Sequence, residues 1–248
     1  MPSVIYHIKK VLKYFLPKSL ILLSAKFINR FKTKYKKTFA QSGEDMILNT
    51  IFYKQKNGFY IDVGANNPFT QSNTHFFYRK GWRGINIDAL PGSMKGFRKA
   101  RPRDINLEIP ISDKEEAIKY YLFSPSFFNS FSEEQAAKYN ISVKGVKILT
   151  TQTLAVVFDK YVGDNVIDFL TVDVEGWDLQ VLKSNNWEKY KPKVIVIEYF
   201  KESSWEINDL EIANYIIEKG YRFYCNSPTN AFFVEEGFSK WRFKKSHS

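Results

Sequence analysis

The chain has 248 residues, of which 44% are hydrophobic and 17% aromatic; this composition supports a single globular body and excludes wholesale disorder. A single cysteine, Cys225, excludes an intramolecular disulfide and a cysteine-based zinc site, and it favours a reducing compartment. The net charge of +11 is concentrated at the N-terminus, because the first 43 residues hold ten Lys or Arg and no acid. The remainder, with 27 basic against 26 acidic residues, is close to neutral.

The N-terminal segment, residues 1–38, is predicted to be a basic helical arm. Apolar residues between positions 3 and 16 recur with helical spacing, and lysines occupy the other faces. Such an arm can lie on an anionic membrane surface, so we expect peripheral membrane contact through residues 1–37; packing on the body or on a partner is the alternative. Because lysines recur along the whole arm, it does not resemble a secretory signal. We therefore expect a cytoplasmic protein, at the inner face of the membrane if the arm binds there.

Two further classes are excluded by absent patterns. The chain has no uninterrupted apolar run of about 18 residues, which a transmembrane helix would need. It also has no zinc pattern and no RNA-binding signature, so we expect no nucleic-acid partner.

From residue 39 to 248 the chain is predicted to form one α/β domain. Strands are predicted at 59–63, 84–88, 105–111, 167–173, 193–199, 221–225 and 231–235, and helices at 43–53, 72–80, 92–100, 153–162, 178–185 and 208–219. Short apolar strands that alternate with helices favour a mostly parallel sheet covered on both faces. The last two strands are separated only by "NSPTN", which predicts a hairpin and one antiparallel strand.

Residues 117–150 depart from this alternation. "AIKYYLF" and "KGVKILTTQ" alternate as strands do, and "SEEQAAKYN" between them predicts a short helix capped by Ser132. We interpret the segment as an insertion on the substrate side of the sheet. Its Phe- and Ser-rich stretch can form a lid over an acceptor, with ordinary packing as the alternative.

Acids stand at the ends of four predicted strands: Asp62, Asp88, Asp173 and Glu198. In an open parallel sheet, ligands bind beyond the carboxyl ends of the strands, so we expect these acids to mark a binding site. Asp113, which follows the third strand, belongs to the same pattern. The alternative for any one of these acids is helix capping.

The first of these strands, "FYIDVGANNPFT", resembles a nucleotide-binding turn but has one glycine where a phosphate-binding turn has three. Its acid repels phosphate and suits a cation, and Asp88 can accept both hydroxyls of a ribose. The turn therefore predicts S-adenosylmethionine, which carries a sulfonium, an ammonium and a ribose but no phosphate, and it disfavours NAD. "NNPFT" either lines the methionine end of the cofactor or shapes the entry to the next helix.

The second informative stretch is "IDFLTVDVEGWDLQVL", residues 167–182. A buried strand delivers Asp173 and Glu175 to its carboxyl end, and Gly176 permits the turn into a helix. The alternative is that Glu175 and Asp178 only favour the helix N-terminal dipole.

Together these motifs resemble the FkbM-type family of S-adenosylmethionine-dependent methyltransferases, over roughly residues 39–236. The resemblance is carried by "FAQSGEDMIL", "GFYIDVGANNPFTQSNTHFFYRKGWRGINIDALP", "LTTQTLAVVFDKYV" and "IDFLTVDVEGWDLQVLKSNNWEKYKPKVIVIEY". It implies a Rossmann-like class I methyltransferase fold, with a mostly parallel seven-stranded sheet and an antiparallel C-terminal hairpin. It also implies O-methylation, often of sugars or natural products.

The resemblance assigns roles to particular residues. It implies a cofactor site formed by Asp62, Gly64, Ala65, Asn66, the ribose acid Asp88, and Ser112 and Asp113 near the adenine. The chain reads "DALP" where relatives often have Glu-Pro after the second strand, which is a conservative departure. His75 stands where an aromatic residue is expected, and this puts any assignment to His75 in doubt.

Methyl transfer to a hydroxyl requires a base or a metal to assist loss of the hydroxyl proton. Asp173 is the first candidate for the base and Glu198 the second, followed by Glu175 and His75. Asp173 and Glu198 can alternatively hold a magnesium ion, which we do not expect. The expected acceptor is a sugar, glycan or glycolipid of cell-surface polysaccharide biosynthesis. The alternatives are a small natural product as acceptor, or an inactive binding protein of the same fold; the absence of G-x-G-x-x-G argues against an NAD-dependent oxidoreductase.

Overall fold

A computed structural model of the chain describes residues 38–124, 129–132, 142–199 and 211–238. The N-terminal arm, apart from Thr38, and the helix predicted at 132–140, apart from Ser132, lie outside these residues. Within the described ranges, no helix is both long and apolar enough to cross a membrane.

Helices and strands alternate along the chain in the predicted order. The strands are β1 (Phe59–Val63), β2 (Arg83–Asp88), β3 (Ile105–Glu108), β4 (Ala117–Leu122), β5 (Gly145–Thr150), β6 (Phe169–Val172), β7 (Val194–Glu198), β8 (Tyr221–Asn226) and β9 (Asn230–Glu235). The helices are α1 (Glu44–Ile51), α2 (His75–Arg79), α3 (Met94–Ala100), α4 (Leu154–Tyr161), α5 (Asp178–Lys183) and α6 (Glu211–Glu218).

Seven of the strands form one sheet, in the order β3-β2-β1-β6-β7-β9-β8. The first five are parallel, and β9 runs antiparallel between β7 and β8. The predicted α/β fold with an antiparallel terminal hairpin is therefore confirmed. The remaining strands, β4 and β5, pair antiparallel as a separate two-stranded sheet within the insertion.

The central strands are buried on both faces, as their apolar composition requires. All five residues of β1 are buried: Ile61 and Val63 join one core cluster, and Tyr60 joins the other. Helices α4, α5 and α6 contribute to the first cluster, and α1 and α2 to the second. Alternate side chains of β1 therefore pack into the core clusters on the two faces of the sheet. This packing fixes the position of the carboxyl end of β1.

The third strand is shorter than predicted. The apolar pattern predicts 105–111, but β3 ends at Glu108. Pro110 has no N–H to continue the ladder, and Ile111 instead forms an isolated parallel bridge with Gln152. The chain thus leaves the sheet at the point where Ser112 and Asp113 follow.

Candidate active site

The four strand-end acids lie in a row along the carboxyl edge of the sheet. Strands β2, β1, β6 and β7 are consecutive neighbours, so the order along the edge is Asp88, Asp62, Asp173 and Glu198. The register fixes the last two side by side, because Val172 pairs with Ile197 and each acid follows its paired residue. The sequence prediction that these acids share one edge is confirmed by the topology.

The turn after β1 uses its own N–H groups. The N–H groups of Gly64 and Ala65 donate to the carbonyl of Ile87 at 2.9 and 3.0 Å, and that of Asn66 donates to the carbonyl of Gly64 at 2.8 Å. In a phosphate-binding turn these donors point at the ligand. Here they are occupied, which agrees with a cofactor that has no phosphate.

Gly64 is also required by the neighbouring turn. Its φ is 88°, in the left-handed region that favours glycine, and a Cβ at this position would collide with the carbonyl oxygen of Asp173. The N–H of Asp173 in turn donates to the carbonyl of Val63 at 3.0 Å. The glycine therefore lets the turns after β1 and β6 approach each other closely.

Asp62 is buried, with 7% of its surface exposed, and the hydroxyl of Thr74 donates to its carboxylate at 2.6 Å. Burial raises its pKa to about 6, against the opposing effects of the Thr74 hydrogen bond and the Arg101 guanidinium. Arg101, itself fully buried, donates to the hydroxyl of Thr74 at 2.7 Å. Asp62 thus links β1 to the residues that begin α2.

The "NNPFT" stretch is fixed by local hydrogen bonds. The side-chain oxygen of Asn67 accepts from the N–H groups of Phe69 and Thr70 at 2.9 and 3.1 Å. The carbonyl of Pro68 accepts from two nitrogens of the Arg101 guanidinium, at 3.1 and 2.7 Å. Of the two roles left open by the sequence, these contacts support shaping the entry to α2.

The residues expected to bind the nucleoside part of the cofactor lie at the end of β2 and in the segment that follows β3. Asp88, the last residue of β2, accepts from the N–H of Leu90 at 2.7 Å, and burial raises its pKa. The hydroxyl of buried Ser112 accepts from the Trp177 indole N–H at 3.2 Å and lies 3.2 Å from an oxygen of Asp113, to which it donates. Asp113 is exposed.

Three carboxyl groups form a compact cluster at the ends of β6 and β7. One oxygen each of Asp173, Glu175 and Glu198 lies within 4.8 Å of the other two. Burial and the neighbouring Asp173 carboxylate raise the pKa of Glu198, and burial and Asp62 raise that of Asp173. The two carboxyl groups therefore share a hydrogen bond and titrate as a pair that favours holding one proton between them.

The backbone of the "DVEG" turn is held in an uncommon conformation. Glu175 has a φ of 53°, in the left-handed region that non-glycine residues seldom adopt. The hydroxyl of Ser130, from the insertion, donates to the carbonyl of Glu175 at 3.0 Å. The insertion thus helps to fix the turn that presents Glu175.

His75 has a different neighbourhood from these acids. It begins α2, and its ring packs edge-on against Phe39 and Phe69, with centroid distances of 4.6 and 5.6 Å. Among the described residues, the side chains close enough together to hold a metal ion are Asp173, Glu175 and Glu198. His75 is not one of them. The structure therefore does not bring His75 into the acid cluster with the other three candidate bases.

Two acids near the cluster were not assigned to the site from the sequence. Glu44, fully buried at the start of α1, accepts from the hydroxyl of Ser227 at 2.6 Å and contributes to the raised pKa of Asp173. Asp178 begins α5, and burial together with Asp173 raises its pKa to about 7. In the sequence, Glu44 and Asp178 resemble ordinary acids in the first turn of a helix. The only indication that they belong to the site is their position inside the motifs "FAQSGEDMIL" and "IDFLTVDVEGWDLQVL".

The cluster has the donor set that a divalent cation prefers, because carboxylate oxygens are hard ligands. Asp173, Glu175 and Glu198 could hold such an ion, which would have to displace the proton that Asp173 and Glu198 share. Without an ion, the same arrangement is a half-buried carboxylate base beside a second carboxyl group.

A mostly parallel seven-stranded sheet with an antiparallel last pair, and with acids along the carboxyl edge of its central strands, is the architecture of Rossmann-like class I methyltransferases. A family model described as the methyltransferase FkbM domain matches residues 62–223, more than half of the chain. The chain belongs to this family and is an S-adenosylmethionine-dependent methyltransferase.

The chain was also compared with solved structures and with curated proteins. A TehB-like SAM-dependent methyltransferase from Corynebacterium glutamicum matches with a TM-score of 0.42 and 9% identity, over 87% of this chain and 99% of that chain. A search of curated proteins finds no significant match.

Proposed function

We propose that the enzyme is an O-methyltransferase that transfers a methyl group from S-adenosylmethionine to a hydroxyl of a sugar, glycan or glycolipid during cell-surface polysaccharide biosynthesis. The observation that carries this proposal is the cluster of the Asp173, Glu175 and Glu198 carboxyl groups, in which the pKa of Asp173 is raised. A hydroxyl is a poor nucleophile until it loses its proton, and a carboxylate with a raised pKa is suited to accept that proton.

Each residue of the cluster then has a distinct role. When bound, S-adenosylmethionine supplies a methyl group already activated at its sulfonium. Asp173 accepts the proton of the acceptor hydroxyl, and Glu198 orients the Asp173 carboxylate through their hydrogen bond. Glu175 can accept a hydrogen bond from a second hydroxyl, which favours a polyhydroxylated acceptor such as a sugar ring.

The acceptor is tested directly by following the methyl group. The enzyme is incubated with methyl-labelled S-adenosylmethionine and glycan fractions from cells with and without its gene, and the label is located. We expect the labelled methyl group on a sugar oxygen in the glycan fraction from cells without the gene. Label in a small natural product would replace the sugar proposal, and cofactor binding without any transfer would indicate an inactive binding protein.

We also propose that residues 1–37 hold the enzyme at the inner face of the cytoplasmic membrane, where lipid-linked glycans would be its acceptors. The support is the sequence of this segment, with its basic residues and helically spaced apolar residues. Co-sedimentation of the full chain with anionic and neutral phospholipid vesicles tests this, with Lys9, Lys10 and Lys13 changed together to Gln as the comparison. Equal sedimentation of the two proteins with anionic vesicles would argue against the proposal.

A further inference from the structure

The direction of the cofactor along the sheet edge follows from the positions of two groups. The ribose acid Asp88 ends β2, and the acids that accept the hydroxyl proton end β6 and β7. Since adenine and the sulfonium are attached to opposite sides of the ribose, a methyl group directed at Asp173 directs the adenine the other way. Strand order then places the adenine beyond β3, where Ser112 and Asp113 follow.

A continuous set of aromatic side chains lies along the same path. Burial raises the pKa of the Tyr120 hydroxyl on β4, and the charges of Asp88 and Glu175 add to this effect. The Tyr120 and Phe131 ring centroids are 4.9 Å apart, and those of Phe131 and Trp177 are 5.8 Å apart. The rings therefore extend from β4 to Ser112, the hydrogen-bond partner of Trp177.

The insertion holds these rings in place. Ser130 and Tyr121 exchange backbone hydrogen bonds of 2.8 and 3.2 Å, which adds a short extended piece beside β4. The Ser130 hydroxyl then ties this piece to the carbonyl of Glu175. Phe131 follows directly and is half-buried, so part of its ring is accessible.

We infer that Tyr120, Phe131 and Trp177 form the wall of the nucleoside subsite, so that β4 and residues 129–132 of the insertion lie against the cofactor. A purine is a flat aromatic ring that stacks on such faces, and the exposed carboxylate of Asp113 can accept a hydrogen bond from its amino group. This assignment rests on the use of S-adenosylmethionine, which the family implies, and it is independent of the identity of the acceptor.

Calorimetry with S-adenosylhomocysteine, in the absence of any acceptor, tests whether these rings contact the nucleoside. Phe131→Ala should weaken binding by about fivefold or more through loss of stacking, and Phe131→Tyr should restore it. Phe223→Ala, at a partly exposed ring on the opposite edge strand β8, is the matched control and should bind normally. Unchanged affinity of Phe131→Ala for S-adenosylhomocysteine would overturn the inference.

A second measurement does not depend on affinity. Adenosine and S-adenosylhomocysteine should both change the tryptophan fluorescence of the enzyme, and Trp177→Phe should remove most of that change while binding persists in calorimetry. Trp187→Phe, whose indole donates to the carbonyl of Leu182 and the hydroxyl of Tyr215, should keep the signal. An undiminished signal in Trp177→Phe, with thermal melting confirming that the variant is folded, would show that the adenine lies elsewhere.

Discussion

Asp173 and Glu198 share a hydrogen bond at the ends of two neighbouring parallel strands, and the pKa of each carboxyl group is raised. The pair exists because β6 and β7 are in register, so that each acid follows a residue of a matched pair. Both carboxyl groups lie among other acids, which favours the neutral form of one of them. This relationship governs how the stability and the activity of the enzyme should depend on pH.

Stability should fall as pH rises. The folded state raises the pKa of Glu198, whereas an unfolded glutamate titrates near pH 4.5, so the folded state binds the proton more tightly. The contribution is complete below the unfolded pKa and is lost as pH rises towards the folded pKa. Urea denaturation at about pH 5, 7 and 9 should show a decline that Glu198→Gln makes shallower. Glu188→Gln, at an exposed acid, is the control. If the free energy of unfolding fell equally steeply with pH in the two variants, the raised pKa of Glu198 would be contradicted.

Activity should depend on the charge of Asp173. Asp173→Asn should lower kcat by about 100- to 10,000-fold, because the amide cannot accept the hydroxyl proton, with little change in the affinity for S-adenosylhomocysteine. In the wild type, kcat/KM should rise between about pH 5 and pH 8, since the pKa of Asp173 is raised. Glu198→Gln should shift this rise, because the two carboxyl groups titrate as a pair. A flat profile together with an active Asp173→Asn would assign the base elsewhere.

Methyl transfer should survive metal removal. A cation at the acid cluster would have to displace the proton that Asp173 and Glu198 share, so we expect proton transfer to Asp173 to suffice. Dialysis against EDTA should leave the rate unchanged, and magnesium should not raise the melting temperature. If EDTA abolished activity and magnesium restored it, the three acids would instead be assigned as metal ligands.

Cofactor affinity should depend on Asp88. Replacing it with Asn removes charge-assisted hydrogen bonds to the ribose, at a cost of about 1.5–3 kcal/mol of binding free energy. Calorimetry with S-adenosylhomocysteine measures this loss. Asp164→Asn, an exposed acid in the loop before β6, serves as the control. Normal affinity of the Asp88 variant would show that the ribose is bound by another group.

Gly64→Ala should destabilise the protein more than the same change at another left-handed glycine. Gly81 has a φ of 100° and nothing within 4 Å of an added Cβ. Gly81→Ala should therefore lower the free energy of unfolding by the backbone strain alone, about 1–3 kcal/mol. Gly64→Ala adds the collision with the carbonyl of Asp173 and should also reduce methyl transfer. Equal free energies of unfolding for the two variants would mean that the two turns can separate freely.

Much of this architecture can be predicted from the sequence because its signals are local. Apolar strands, the short "NSPTN" connection and a helical period each depend on a few adjacent residues, and these located the strands of the main sheet and its hairpin. The acids at strand ends could be placed on one edge, since parallel strands present their carboxyl ends together. The end of β3 was misplaced because the apolar run continues after the strand leaves the sheet at Pro110.

What the tertiary structure decided depends on segments that are distant in sequence. The order of the strands made Asp173 and Glu198 neighbours, and helix packing placed His75 against Phe39 and Phe69. The sequence by itself determined the class of fold and the residues of the acidic edge. The raised pKa of Glu198 was decided only by folding, because a pKa depends on burial and on the charges that packing brings together.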